Sequence, residues 1–365
     1  MNVEVVTPEA DPDRGSFGAR AHHLLLILSQ FAKVRCLLTA APEHGRIPGV
    51  TFAYAPVAKE VLVRARRQPS VYATDPPTRP AWPRPDVLIV QDLDLLGARK
   101  NLPDVPVILD EPATSWDRLR FRVRTLPNTQ SSGLLRRAVR FAEDAIREVD
   151  VVLVSSKVSR EEIVARVPDA GPKIRLVPDS VDTERFQPTA PEEETASALF
   201  VGDFTEIPNR EAAGVVVGAL APKLPLIPFL LAGRQPPANL PSLRNVIVLG
   251  HVQDLGSVIA RAGVCIAPIV HGSGTQVKIL TYLAAGKAVV ATTRACEGLG
   301  VLDERHLLVR DGWPGFVAGI RRLLGDPVWR LELGRAGRDL ARHRYDWRLQ
   351  VPNLRRALES LIGSR

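Results

Sequence analysis

His271–Gly300 reads HGSGTQVKILTYLAAGKAVVATTRACEGLG. The stretch opens on three small residues and a hydroxyl: Gly272, Ser273, Gly274 and Thr275. An apolar segment with helical spacing follows, then a short β-branched run, VVAT, and a second glycine-bearing turn. A helix start exposes unpaired backbone N–H groups and a partial positive charge, and both attract phosphate. Glycine lets a ligand approach the backbone closely, and the hydroxyls of Ser273 and Thr275 add donors. Lys278, one turn beyond Thr275, adds a cation. The spacing is neither that of a Walker loop nor that of the dinucleotide-binding GxGxxG. Taken alone, a small-residue turn in front of a core helix would look the same.

Outward from this block, buried-strand and helix patterns alternate along the chain. VEVVTP, VRCLLTA, DVLIVQDLD, PVILDEP, VVLVSS and KIRLVPD read as short apolar strands, with helical segments between several of them. The stretch ARAHHLLLILSQFAKV reads as the first helix, which leaves Gly15 and Gly18 in the preceding loop. SREEIVARV reads as a helix opened by a capping box, Ser159 with Glu162. PTAPEEETAS, residues 188–197, lacks aromatics and large aliphatics and reads as a linker. The alternation then restarts with ALFVGDF, a helix from Asn209, LIPFLLAG, NVIVLGHV and VCIAPIV. The pattern predicts an α/β protein of two Rossmann-like domains. The first covers residues 1–187 and is joined by a C-terminal helix over 345–365; the second covers 188–344.

The chain has 365 residues, 45% of them apolar, enough for a large core in each half. It has no apolar run of about 20 residues, so a membrane span is not expected. The N-terminus lacks a basic-then-apolar leader pattern, and three scattered cysteines suggest neither a zinc site nor a disulfide framework. A cytoplasmic setting, including the inner face of the membrane, is the expectation. The net charge of +8 favours anionic partners, although arginine-rich composition alone gives the same balance. Arg118–Arg140 is the densest basic run. It suits an anionic membrane surface or a phosphorylated acceptor, and equally a solvated helix face. No aromatic interleaving or nucleic-acid motif accompanies it, so nucleic acid is not an expected partner. Asp92–Asp94 spell DLD, a three-residue pattern too short to imply a metal site. Asp110 and Glu111 end an apolar strand, the edge where ligands bind in open α/β sheets.

The unbroken order VCIAPIV, GSGTQVKIL, LAAGKAVVAT and EGL resembles the group 1 (family 4) glycosyltransferases of the GT-B fold. In a large subset of that family the block reads approximately as Pro, GSGT, a basic residue, KILEALAAGKPVVAT and EGL. FVGDFTEIPN is similar to the family's FVGS…PN, VPDSVD to its PNGVD, and LDEP to an LDEHN-like segment. ARHRYDW is similar to its RFSW helix, which crosses back to the first domain.

The resemblance implies a nucleotide-diphosphate sugar donor held by the second domain and an unidentified acceptor held by the first. Transfer would proceed with retention and without a bound metal or other cofactor. Gly202, His271, Gly272, Ser273, Gly274, Thr275, Lys278, Thr281 and Glu297 would face the donor, with Gly15 and Gly18 contributing from the first domain. Glu111 and Lys278 are the candidate catalytic groups. Relatives usually carry Glu at the position of Thr281, where the carboxylate is expected to hold the ribose; here the motif reads KILT. The other glutamate of the family's pair would fall at Ser273, so neither carboxylate is present. That loss fits an altered donor site. It also fits a homologue that binds a sugar nucleotide without turning it over.

Overall fold

The computed structural model describes residues 1–12, 15–39, 47–55, 78–110, 128–188, 195–272 and 274–363. The chain divides into two compact units. One contains Met1–Pro12, Phe17–Pro178 and Gln350–Arg365; the body of the other is Asp179–Leu349.

The first unit is built on seven parallel strands. These are β1 (Asn2–Thr7), β2 (Lys33–Leu38), β3 (Val50–Tyr54), β4 (Val87–Gln91), β5 (Val107–Asp110), β6 (Val151–Val154) and β7 (Ile174–Leu176), in the order β3-β2-β1-β4-β5-β6-β7. β1 lies between β2 and β4, with Val5 opposite Cys36 on one side and Ile89 on the other. Strands covered on both faces need near-continuous apolar sequence, and Val87–Gln91 and Val107–Asp110 are buried at every position. Helices α1 (Gly15–Ser29, from Phe17 on), α2 (Asn128–Glu148), α3 (Lys157–Arg166) and α9 (Val351–Ile362) belong to this unit.

Two local readings change. α1 begins at Gly15, so Gly15 and Gly18 lie in its first turn rather than in a loop. A glycine costs a helix about 1 kcal/mol, and the buried face formed by Ala21, Leu24, Leu25 and Leu28 offsets it. The cap of α3 is Ser156, whose Oγ accepts the Ser159 amide at 3.0 Å; the helix therefore starts before Ser159.

Among the described residues, two buried ion pairs fix this unit. Arg20 of α1 grips Asp110 at the end of β5 with two bonds, Nε–Oδ2 at 2.9 Å and Nη2–Oδ1 at 2.6 Å. Its third nitrogen, Nη1, donates to Val177 O at 3.0 Å. Within β1, Glu4 is buried and held by Arg79 through bonds of 2.8 to 3.0 Å. A buried carboxylate is tolerable only when it is paired in this way.

The second unit repeats the arrangement with six parallel strands. These are β8 (Thr195–Val201), β9 (Phe229–Ala232), β10 (Val246–Gly250), β11 (Ala262–Ala267), β12 (Val289–Ala291) and β13 (Leu308–Val309), in the order β10-β9-β8-β11-β12-β13. Helices α4 (Ile207–Val215), α5 (Leu255–Arg261), α6 (Val277–Ala284), α7 (Trp313–Gly325) and α8 (Pro327–Leu340) connect and cover them. Phe200, Phe204, Phe229, Tyr282 and Phe316 are the largest fully buried side chains of its core. The strand β8 starts at Thr195, inside the stretch read as a linker, and residues 189–194 lie outside the described residues.

The chain enters and leaves this unit at adjacent points. Val181 and Asp346 form an isolated parallel bridge, with Val181 N donating to Tyr345 O and Trp347 N to Val181 O. The Asp346 carboxylate accepts from both the amide and the hydroxyl of Thr183. Burial works against its charge, but the Thr183 hydroxyl and the amide and guanidinium of Arg348 outweigh it and hold its pKa below the usual carboxylate value.

Candidate donor site in the second unit

In a doubly wound sheet, ligands bind beyond the carboxyl ends of the strands where the order reverses. In the second unit that reversal lies between β8 and β11. β8 runs out at Val201 into Gly202-Asp203-Phe204, and β11 runs out at Ala267 towards His271 and the loop preceding α6.

The first turn of α4 ties these two ends together. Asn209 is 8% exposed. Its Nδ2 donates to Asp203 O at 2.7 Å, and its Oδ1 accepts from Lys278 Nζ on α6. A Cβ on Gly202 would stand 2.7 Å from Asn209 Cγ, so the amide can occupy this place only beside a glycine. Gly272 takes φ +120 and Gly274 φ +77, conformations that side chains resist. Gly272 packs against Pro208, the residue before Asn209. Gly202, Gly272 and Lys278 therefore converge on Pro208-Asn209.

Lys278 is partly buried, with Nζ 4.5 Å from the centroid of the Phe200 ring. Desolvation pulls its pKa down to about 7, and the negative field of Glu206 opposes the shift. Thr281, one turn on, donates its hydroxyl to Val277 O at 3.1 Å within the same helix. Tyr282, fully buried, accepts the Val201 amide on its phenol oxygen at 2.7 Å and pins α6 to the end of β8. Thr275 is buried at the start of α6. His271 is exposed and meets Glu211 of α4, Nδ1 to Oε2, at 2.9 Å. Glu297 follows a short helical turn after β12 and accepts from Arg294 Nη1 at 2.6 Å.

The remaining sequence candidates fall elsewhere. Gly15 and Gly18 are on α1. Glu111 and Ser273 lie outside the described residues. Asp110 is committed to Arg20. Asp92 of the DLD stretch follows β4 at φ 90 and is buried, and among the described residues no group of three or more His, Cys, Asp or Glu could hold a metal ion. Sequence reasoning passed over Asn209 and Phe200 as site residues. Both stand in the quoted FVGDFTEIPN, but only the folded chain shows that they close on a lysine far along the sequence.

A family model described as "Glycosyl transferases group 1" matches residues 195–326. The matched segment runs from β8 to the end of α7 and contains the whole of the site just described. No curated protein sequence matches the chain. Among solved structures, sucrose-phosphate synthase from Thermosynechococcus elongatus is similar at TM-score 0.76 and 18% identity, covering 100% of both chains. Anabaena Alr3699/HepE in complex with UDP-glucose is similar at TM-score 0.70 and 12% identity, covering 99% of this chain and 100% of that one. The trehalose-6-phosphate synthase OtsA gives 0.65 and 12%, covering 98% of this chain and 99% of that one. The fold is GT-B.

Proposed function

We propose that the protein is a glycosyltransferase that takes its sugar from a nucleoside-diphosphate donor bound in the second unit. The observation that carries this reading is the convergence at the β8/β11 reversal. A loop of two positive-φ glycines enters α6, and Lys278 stands one turn in. Helix-start amides and a cation are the groups that neutralise a diphosphate. The matched family segment and the UDP-glucose complex of a structural neighbour support the same donor class.

In this reading the diphosphate lies against Gly272–Thr275 and Lys278. As the glycosidic bond breaks, negative charge grows on the leaving diphosphate, and these groups stabilise it. Lys278 is the catalytic residue of the second unit. Gly202, His271, Thr281 and Glu297 border the nucleotide and sugar, with Gly15 and Gly18 as further donor-binding residues and Glu111 as a second catalytic candidate. Retention at the anomeric carbon, and a step that proceeds without metal, follow from the family resemblance. The acceptor belongs to the first unit. Exposed Arg136, Arg137 and Arg140 on α2 offer it, or an anionic membrane surface, a basic face.

The test is a calorimetric panel of UDP, GDP, ADP, CMP and dTDP with their common sugar conjugates. One nucleotide binding well above the rest, and weakening by about 1–3 kcal/mol in Lys278→Ala, is the expected result. Absence of binding across the panel overturns the donor reading.

A further inference from the structure

The contacts of Lys278 are unusual for a lysine that meets an anion. Its ammonium is held by an amide oxygen, Asn209 Oδ1, and by the face of an aromatic ring, Phe200. Both partners carry no net charge. A buried cation is ordinarily matched by a carboxylate. Among the described residues no carboxylate forms an ion pair with Lys278. Asp203 Oδ1 accepts from the amide and hydroxyl of Thr205, and its Oδ2 lies 3.7 Å from Arg234. Glu211 meets His271. Glu206, at the cap position of α4, acts on Lys278 through its field. Tyr282 on α6 spends its oxygen on the Val201 amide.

Asn209 is itself fixed at three points. Its Nδ2 is bound to Asp203 O, its carboxamide lies against Gly202, and its Oδ1 meets Lys278. The bond to Asp203 O requires a donor, which fixes the orientation of the amide and turns the acceptor towards the lysine. Asparagine satisfies both demands; aspartate would satisfy only the second.

We propose that Asn209 is a positioning residue that presents Lys278 with no carboxylate bonded to it, so that an arriving diphosphate supplies the contacting charge and a proton binds with it. This inference rests on the donor reading above. A carboxylate at position 209 would hold the lysine as firmly but would compensate its charge in advance, leaving less for the ligand to gain. The neutral cradle also makes the lysine reversible in charge. Without ligand, burial favours the free amine; with two phosphate charges alongside, the ammonium is favoured.

The experiment is calorimetry of UDP and of inorganic pyrophosphate at pH about 8, in buffers of different ionisation enthalpy. With the ligand-free pKa lowered to about 7, the free amine predominates at that pH. The wild type should then take up close to one proton per bound diphosphate. In Asn209→Asp the uptake should fall towards zero and affinity should drop about tenfold or more. Asn209→Ala, which frees the ammonium to reach solvent, should lose the uptake as well, and it serves if the aspartate variant does not fold.

Diphosphate binding with no proton uptake in the wild type overturns the inference while leaving the donor reading intact. So does an Asn209→Asp variant that binds as tightly and takes up the same proton. Failure of every nucleotide and of pyrophosphate to bind overturns the donor reading instead. Titration of Lys278 in the ligand-free protein by NMR of labelled lysine then decides Asn209 alone. A midpoint near neutrality that moves up in both variants supports the assignment, and an ordinary lysine midpoint in the wild type refutes it.

Discussion

Replacing Tyr282 with phenylalanine tests how α6 is held at the end of β8. Gly202 N donates to Ala232 O of β9, so the preceding amide, Val201 N, faces the opposite neighbour. On that side the β8–β11 register ends at Leu199 and Cys265. The phenol oxygen of Tyr282 fills the gap at 2.7 Å, and the tyrosine has no exposed surface. Phenylalanine keeps the ring and its packing and removes only the acceptor. A buried donor left without a partner costs about 1–3 kcal/mol. At about 1.4 kcal/mol per tenfold, hydrogen exchange at the Val201 amide should accelerate by about 5- to 150-fold. Amides of β1 and β4 serve as internal references in the same sample. An exchange rate at Val201 within about twofold of wild type would refute the claim that the phenol satisfies this amide.

The pH dependence of Lys278 has a definite sign. Its pKa is about 7 in the folded chain against an ordinary 10.5. Between these values the unfolded chain binds the extra proton, so stability rises with pH through that window. Lys278→Met lacks the penalty. Its Tm should exceed that of wild type at pH about 7, and the gap should close towards pH about 10; a gap independent of pH contradicts the assignment. Gly202→Ala places a Cβ 2.7 Å from Asn209 Cγ. It should weaken diphosphate binding about as much as Asn209→Ala does, and unchanged affinity would show that the amide can move aside. Asp110→Asn breaks the buried pair with Arg20. It should destabilise the first unit by roughly 3–5 kcal/mol, measured by chemical denaturation, while UDP affinity in the second unit is unchanged.

The sequence reading caught what is periodic. VEVVT, VLIVQ, VILD and AGVCIA are apolar because parallel strands are buried on both faces, and each became a strand close to its expected position. β3 and β13 escaped it. Val50–Tyr54 is an edge strand of its sheet, half-buried with Thr51 and Tyr54 exposed, and Leu308–Val309 is only two residues long. Neither carries a pattern strong enough to separate it from a loop. The glycine-rich entry to α6 was legible because glycine at positive φ is a local demand. The partnership of Asn209 with Lys278 was not, because it joins residues 69 positions apart and depends on the sheet order. Asp110, a candidate by its place at a strand end, pairs instead with Arg20 across 90 residues, a contact hidden for the same reason.

The bridge between Val181 and Asp346 also bears on how such a protein is assembled. Asp179–Leu349 begins and ends at one spot, closed by backbone bonds on both sides of Val181 and by the Thr183 contacts to Asp346. A segment whose two ends already meet can be lifted out or spliced in as a cassette without leaving a strand unpaired. Residues 179–349 therefore have the termini of an insertable module. Expressed alone, they should keep the Asn209–Lys278 contact and the closing clasp together.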